Sequence, residues 1–61
     1  MPIVQIELLE GRNVDQKRAL AKKVTEAIVE TLQCKPEAVK IIMRELKTEH
    51  LATAGILRYD E

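Results

Sequence analysis

The sequence predicts a small α/β domain in which one helix connects two parallel strands. Residues 3–9 and 39–46 alternate between apolar and mixed positions with the period of a β-strand. Between them, residues 14–32 carry apolar side chains at helical spacing. A strand, a helix and a strand in this order form a βαβ unit, and we expect its strands to be parallel with a right-handed crossover.

Each predicted strand has one apolar face and one mixed face. In the first strand the apolar face consists of Val4, Ile6 and Leu8, and the mixed face of Ile3, Gln5, Glu7 and Leu9. In the second strand the two faces are Val39, Ile41 and Met43, and Lys40, Ile42, Arg44 and Leu46. One helix can cover only one side of such a sheet. The other side and the sheet edges are therefore expected to lie open in an isolated subunit.

The helix has a clear start and a clear stop. Gly11 supplies a turn after the first strand, Asn13 is a suitable N-cap, and Gln16 completes a capping box three residues later. Pro36 ends the helical region. The apolar stripe is predicted to comprise Leu20, Val24, Ala27, Ile28 and Thr31, with Ala21 and Leu32 at its margin and charged residues on the opposite, solvated face.

The 61 residues form a single domain that needs help to be stable. A domain of this size buries only about 60% of its unfolded surface, and such domains often rely on disulfides, metals or partner subunits. Cys34 is the only cysteine, so no disulfide can form within the chain. The chain is 46% hydrophobic, which is more apolar material than one small subunit can hide. We therefore expect residues 1–61 to form a single domain that assembles into an oligomer.

The composition gives no support for a metal, nucleic-acid or membrane partner. His50 and Cys34 stand alone, without the paired spacing of a zinc site. Ten acidic and ten basic residues give a net charge of +0, without the basic excess that suits nucleic acid. The sequence has no apolar run of about 18 residues and no signal-peptide pattern. We expect a cytoplasmic protein in which Cys34 is a buried or half-buried thiol.

Pro2, directly after the initiator methionine, is the unusual candidate for chemistry. A small second residue favours removal of Met1, which would turn the Pro2 nitrogen into a free secondary amine. A terminal amine has a reference pKa of about 7.7–8.0, and burial or nearby positive charge lowers the pKa of an amine. A neutral amine near working pH is a good general base, and cations beside it would hold an acidic substrate and stabilise an enolate. Because Met-Pro starts are common, the residues alone leave this interpretation open.

Four segments carry a resemblance to the 4-oxalocrotonate tautomerase family over essentially the whole chain: PIVQIELLEGR, DQKRAL with VTEAI, KPEAVKIIMREL and TEHLATAG. The resemblance implies a tautomerase-like β-α-β subunit with a short C-terminal hairpin. It implies assembly through shared sheets as a homohexamer, a trimer of dimers. The implied activity is that of an isomerase, which transfers protons between keto and enol forms of unsaturated 2-oxo or 2-hydroxy acids. The terminal proline would be the general base, with no cofactor and no metal.

The resemblance also assigns site residues. Pro2 matches the catalytic proline, Arg12 matches an arginine that binds a substrate carboxylate, and Leu9 falls on a position that lines the pocket. Lys40 falls where the best-known members carry a second arginine, which polarises the 2-oxo group. Leu51 falls where they carry an aromatic pocket residue. Lysine keeps the charge but loses the planar fork of arginine, and leucine shortens the apolar wall.

Other interpretations remain open at this point. Arg12 could be a surface turn residue and Lys40 a charge at a strand edge. The chain could be a non-catalytic oligomeric module that binds a small carboxylate, although such a scaffold would need neither Pro2 nor Arg12. It could also be a relative that hydrates or dehalogenates unsaturated acids, which would require a water-activating carboxylate beside the proline.

Overall fold

The computed structural model describes residues 1–61 and contains the predicted βαβ unit followed by a hairpin. Strand β1 spans Ile3–Leu9, helix α1 Val14–Leu32 and strand β2 Lys40–Leu46. The two strands are parallel, with Ile3 opposite Lys40 at one end and Leu9 opposite Leu46 at the other. The predicted fold class is confirmed. Strand β2 begins one residue later than predicted, because Val39 caps the 3-10 turn Pro36–Ala38.

Helix α1 begins with the capping box that the sequence predicts. The backbone N–H of Gln16 donates to Asn13 Oδ1 at 2.7 Å, and the backbone N–H of Asn13 donates to Gln16 Oε1 at 3.1 Å. These two bonds satisfy backbone donors that a helix start otherwise leaves without partners. At the other end, Gln33 ends the helix in the left-handed conformation, with φ 54° and ψ 49°.

The helix side that covers the sheet is rotated from the predicted stripe. Val24 and Ile28 are half-buried as expected, but the prediction is wrong for Leu20, Ala27 and Thr31, which are exposed. Of the two residues at the margin of the stripe, Ala21 is half-buried and Leu32 is exposed. The other half-buried helix residues, which the prediction did not include, are Lys17, Thr25 and Val29. Apolar periodicity marks all the helix positions that can be buried, against the same subunit or against another one. Within one subunit, only the two strands are present to cover α1.

The sheet has a face under the helix and an open face. Lys17 on α1 reaches Glu45 on β2, which identifies the helix side. The open face consists of Ile3, Gln5, Glu7, Leu9, Lys40, Ile42, Arg44 and Leu46. On this face Ile3 and Ile42 are 57% and 41% exposed, and an ion pair joins Arg44 Nη1 to Glu7 Oε1 at 3.3 Å. The open face is therefore partly apolar, and the charges of Arg44 and Glu7 on it neutralise each other.

No residue of the subunit is fully buried. The chain is flat and elongated, with extents of 43 × 24 × 13 Å. Hydrophobic stabilisation is roughly proportional to the apolar area removed from water, so a subunit without a closed core lacks the main force that holds small domains together. An isolated subunit therefore leaves much of its apolar surface in contact with water.

The C-terminal segment forms the expected hairpin. Strands β3, Ala52–Thr53, and β4, Ile56–Leu57, pair in antiparallel fashion. Ala54 and Gly55 join them with φ values of 54° and 80°, which fit a two-residue type I′ turn. All residues from 51 to 61 are exposed in the subunit.

The only long helix, α1, is not apolar enough to cross a membrane.

Candidate active site

Pro2 and Lys40 lie side by side at the amino ends of the two strands. The backbone N–H of Lys40 donates to the carbonyl oxygen of Pro2 at 2.9 Å. The strand register places Lys40 on the open face, and its ammonium makes no ion pair within the subunit. Pro2 is half-buried, whereas Met1 is 80% exposed. The parallel pairing thus brings an unpaired cation next to the residue that the sequence singles out for chemistry.

Leu9 and Arg12 lie at the opposite end of β1. Arg12 Nη1 donates to the carbonyl oxygen of Leu9 at 3.4 Å, which is long for a hydrogen bond. Arg12 is exposed and has no carboxylate partner in the subunit. Strand β1 has 7 residues, and with a rise of about 3.3 Å from each residue to the next its two end residues are about 20 Å apart. One chain cannot bring its own Arg12 to its own Pro2.

Arg12 borders a cleft between the end of β1 and the first turns of α1. The cleft has a volume of about 210 Å³ and is lined by Leu8, Arg12, Gln16, Lys17 and Leu20. We call it the Arg12 cleft. Lys17 Nζ is held by Glu45 Oε1 at 2.6 Å. The cleft therefore combines two cations, one amide and two leucines, which suits an acid with a short apolar chain.

Sequence reasoning did not single out Lys17. Its interest depends on Glu45, which is 28 residues further along the chain and on a different element. The signal that could have found it is its position one turn after the N-cap Asn13, since residues four apart lie on the same helix face. A lysine on the sheet side of a helix requires an acidic partner, and Glu45 was the one available on the facing strand.

Leu51 lies five positions beyond the carboxyl end of β2, the strand end near Arg12. It follows the 3-10 turn Thr48–His50, and its carbonyl oxygen accepts the backbone N–H of Arg58 at 2.8 Å. Its side chain is 37% exposed. The subunit therefore places Leu9, Arg12 and Leu51 towards one end and Pro2 with Lys40 at the other.

A larger cleft, about 480 Å³, lies on the other flank of α1. It is lined by Ala21, Lys22, Thr25, Glu26, Val29 and Pro36. None of the predicted site residues borders it, so the largest opening of the subunit is separate from the candidate chemistry.

Comparison with known proteins identifies the family. The family model described as "Tautomerase enzyme" matches residues 2–57. The chain is 47% identical over 55 residues to a probable tautomerase of Halalkalibacterium halodurans, and the alignment covers 90% of each protein. It is 44% identical over 55 residues to the 2-hydroxymuconate tautomerase of Bacillus subtilis, covering 90% of this chain and 89% of that one.

Solved structures agree with the sequence relatives. A 4-oxalocrotonate tautomerase isozyme from Methylibium petroleiphilum superposes with a TM-score of 0.92 at 46% identity, covering 95% of this chain and 91% of that one. A heterohexameric 4-oxalocrotonate tautomerase from Chloroflexus aurantiacus has a TM-score of 0.92 at 28% identity, covering 98% and 97% of the two chains. The β-α-β fold with its terminal hairpin and the sequence identity point to the same group of enzymes. The chain belongs to the tautomerase family, and it is an isomerase of the 4-oxalocrotonate tautomerase type.

Proposed function

We propose that this chain catalyses cofactor-independent keto-enol proton transfer in an unsaturated 2-oxo or 2-hydroxy acid, with the nitrogen of Pro2 as the general base. The observation that carries the proposal is the position of Pro2 beside the unpaired Lys40, joined through a 2.9 Å backbone hydrogen bond. Removal of Met1 is required, because a Pro2 nitrogen acylated by Met1 has no lone pair to accept a proton. Met1 is 80% exposed and so is accessible to an aminopeptidase.

The neutral amine of Pro2 takes the proton of the enol hydroxyl, and the electrons of that bond form the 2-oxo group. The same nitrogen then delivers the proton to a carbon further along the conjugated system, so the atoms balance without a cofactor. The ammonium of Lys40 stabilises negative charge on the 2-oxo oxygen during the transfer.

Arg12 anchors a carboxylate of the substrate through its planar fork. Since the ends of β1 lie about 20 Å apart, the Arg12 that serves a given Pro2 belongs to a neighbouring copy. An antiparallel arrangement of two copies places the Arg12 end of one beside the Pro2 end of the other. Leu9 and Leu51, from the same end as Arg12, line the apolar part of the pocket.

The assembly that completes the site is a homohexamer, a trimer of dimers. Its support is the absence of any fully buried residue in the subunit, together with the exposed Ile3 and Ile42 on the open face. The Chloroflexus aurantiacus relative is itself a heterohexamer. Sedimentation of the purified protein should give one folded species of six chains, and a stable folded monomer at micromolar concentration would contradict the assembly. The free thiol of Cys34 fits a reducing cytoplasm.

Replacing Pro2 tests the proposed base directly. The substrate is 2-hydroxymuconate, the acid for which the Bacillus subtilis relative is named, and intact mass first establishes that Met1 is absent. Pro2→Ala should lower kcat about a hundredfold or more, since a positioned general base contributes about 10²–10⁴-fold. A primary amine remains in this variant, so some activity should survive. The chain retaining Met1 should be inactive.

The matched control is Pro36→Ala, the same substitution at the chain's other proline. It should leave kcat unchanged, because Pro36 starts a 3-10 turn and lines the larger cleft, which contains no predicted site residue. Unchanged turnover in Pro2→Ala, with its assembly intact, would refute the assignment of Pro2 as the base.

A further inference from the structure

The Arg12 cleft contains a second cation that the proposed mechanism does not use. Arg12 and Lys17 both line this cleft of about 210 Å³, together with the amide of Gln16 and the side chains of Leu8 and Leu20. Two cations around one small opening repel each other unless an anion lies between or beside them. Glu45 provides part of that compensation, but only to Lys17.

Lys17 is held firmly in place. Its ammonium lies 2.6 Å from Glu45 Oε1, and its side chain is only 27% exposed. An ammonium group has three N–H donors, and Glu45 occupies one of them. The other two donors are available to a ligand, and the partly buried stem limits the positions that the ammonium can adopt.

Arg12 has the opposite character. Its guanidinium has five donors, and its only hydrogen bond in the subunit is the long one to the carbonyl oxygen of Leu9. An exposed guanidinium without a carboxylate partner, beside a lysine that is already paired, leaves the cleft with one uncompensated positive charge. An anionic ligand supplies that missing charge.

We propose that Lys17, positioned by Glu45, is the second cation of the carboxylate subsite that Arg12 forms. The fork of Arg12 and the point charge of Lys17 bind one carboxylate, and Leu8 and Leu20 form the apolar lining of the cleft next to that carboxylate. The ligand class is an unsaturated acid whose carboxylate ends a short apolar chain. This inference rests on the carboxylate-binding role of Arg12 in the proposed function.

Kinetics of Lys17→Met provide the test. Methionine keeps the length and apolar stem of lysine and removes the charge. KM for 2-hydroxymuconate should rise about tenfold with kcat unchanged, since a charge-assisted hydrogen bond to a carboxylate accounts for about one decade in affinity. A second substrate is 2-hydroxymuconate esterified at the carboxylate remote from the hydroxyl group, which carries no charge there. For this ester, Lys17→Met and the natural chain should have equal KM values. A purely structural role for Lys17 would raise KM for the acid and the ester alike, and that result would overturn the proposal.

Three further variants separate contact from folding. Lys17→Arg keeps a cation opposite Glu45 and should recover most of the lost affinity. Glu45→Gln leaves Lys17 in the chain but removes the ion pair that positions its ammonium. It should give a smaller rise in KM, about threefold. Lys23→Met is the matched control, because Lys23 lies exposed on the same helix, borders neither cleft and makes no ion pair. It should leave KM unchanged.

Binding without turnover distinguishes this inference from the proposed function. Adipate, a saturated diacid that cannot tautomerise, should bind about tenfold more weakly to Lys17→Met than to the natural chain in calorimetry, with no loss in Lys23→Met. Equal adipate affinity in all three proteins overturns the role of Lys17 whatever the activity of Pro2. Loss of adipate affinity in a protein without tautomerase activity would uphold the subsite and refute the proposed reaction.

Discussion

Lys40 and Leu51 are the two residues at which this chain departs from the pattern that its resemblance implies. In the proposed site, Lys40 presents a flexible point charge to the 2-oxo group, where arginine would present a planar fork. Leucine offers a smaller apolar surface than an aromatic ring. Both changes weaken contacts with a long, charged substrate more than contacts with a short one.

Restoring both side chains should improve the use of a diacid. Lys40→Arg combined with Leu51→Phe should raise kcat/KM for 2-hydroxymuconate by about one to two decades, because a charged hydrogen bond contributes about 1.5–3 kcal/mol. The gain should be smaller for a 2-hydroxydienoate with one carboxylate. Steady-state kinetics on both substrates measure the difference. Lys47→Arg, at another lysine without an ion pair, serves as the control, and an equal gain on both substrates would contradict this interpretation of the two positions.

At the level of single residues, the sequence predicts the contacts that regular strand pairing imposes and misses those that depend on tertiary partners. Once β1 and β2 are parallel and start together, Lys40 must lie beside Pro2, so that contact was predictable in principle. Lys17 was not, because only the folded chain brings it to Glu45. The assignments of Arg12, Leu9 and Leu51 come from the resemblance and remain predictions.

The end of α1 has a strained backbone conformation. Gln33 adopts φ 54° and ψ 49°, a conformation in which the Cβ atom of an L-residue crowds the following carbonyl oxygen. Glycine has no Cβ and is the residue that helix ends favour at this position. The strain at Gln33 contributes nothing to the candidate site, since Gln33 borders neither cleft.

Gln33→Gly should therefore stabilise the protein by about 1 kcal/mol. The same type of substitution in the middle of α1, Lys23→Gly, should destabilise it by about 1 kcal/mol, because glycine is a poor helix former. Urea unfolding of both variants at one fixed protein concentration measures the free energies, since assembly makes apparent stability depend on concentration. A loss of stability in Gln33→Gly would show that the side chain makes a contact outside the subunit that outweighs the strain.

At the level of elements, the sequence predicts where the strand and the helix begin and end, but it does not predict which face of the helix is buried. The bounds of β1 and α1 and the capping box of Asn13 with Gln16 were predictable, because hydrophobic period and capping chemistry act within a few residues. The strands of the hairpin have two residues each, too few to show a period, so only the resemblance anticipated them. The apolar side chains of Leu20 and Ala27 misled the prediction of the buried helix face because the subunit leaves them exposed.

For the whole molecule, the open face is the feature that assembly must accommodate. The Glu7–Arg44 pair lies on it at 3.3 Å, with both side chains about half exposed. If a second copy covers this face, the pair loses its contact with water and becomes a buried ion pair. Removing one partner of such a pair leaves an uncompensated charge, which is far more costly than removing both. The pair therefore ties the stability of the assembly to two charges on neighbouring strands.

Because Pro2 and Arg12 lie at opposite ends of β1, we expect two variants of low activity to rescue each other. A Pro2→Ala chain still carries Arg12, and an Arg12→Ala chain still carries Pro2. If equal amounts of the two are unfolded together and refolded, subunits mix at random, and about one quarter of the sites receive both natural residues. The mixture should recover about one quarter of the natural activity above the sum of the two separate proteins, whereas mixing without unfolding should recover nothing. Genetic complementation between two defective copies of the same chain would then follow directly from the placement of two site residues at opposite ends of one strand.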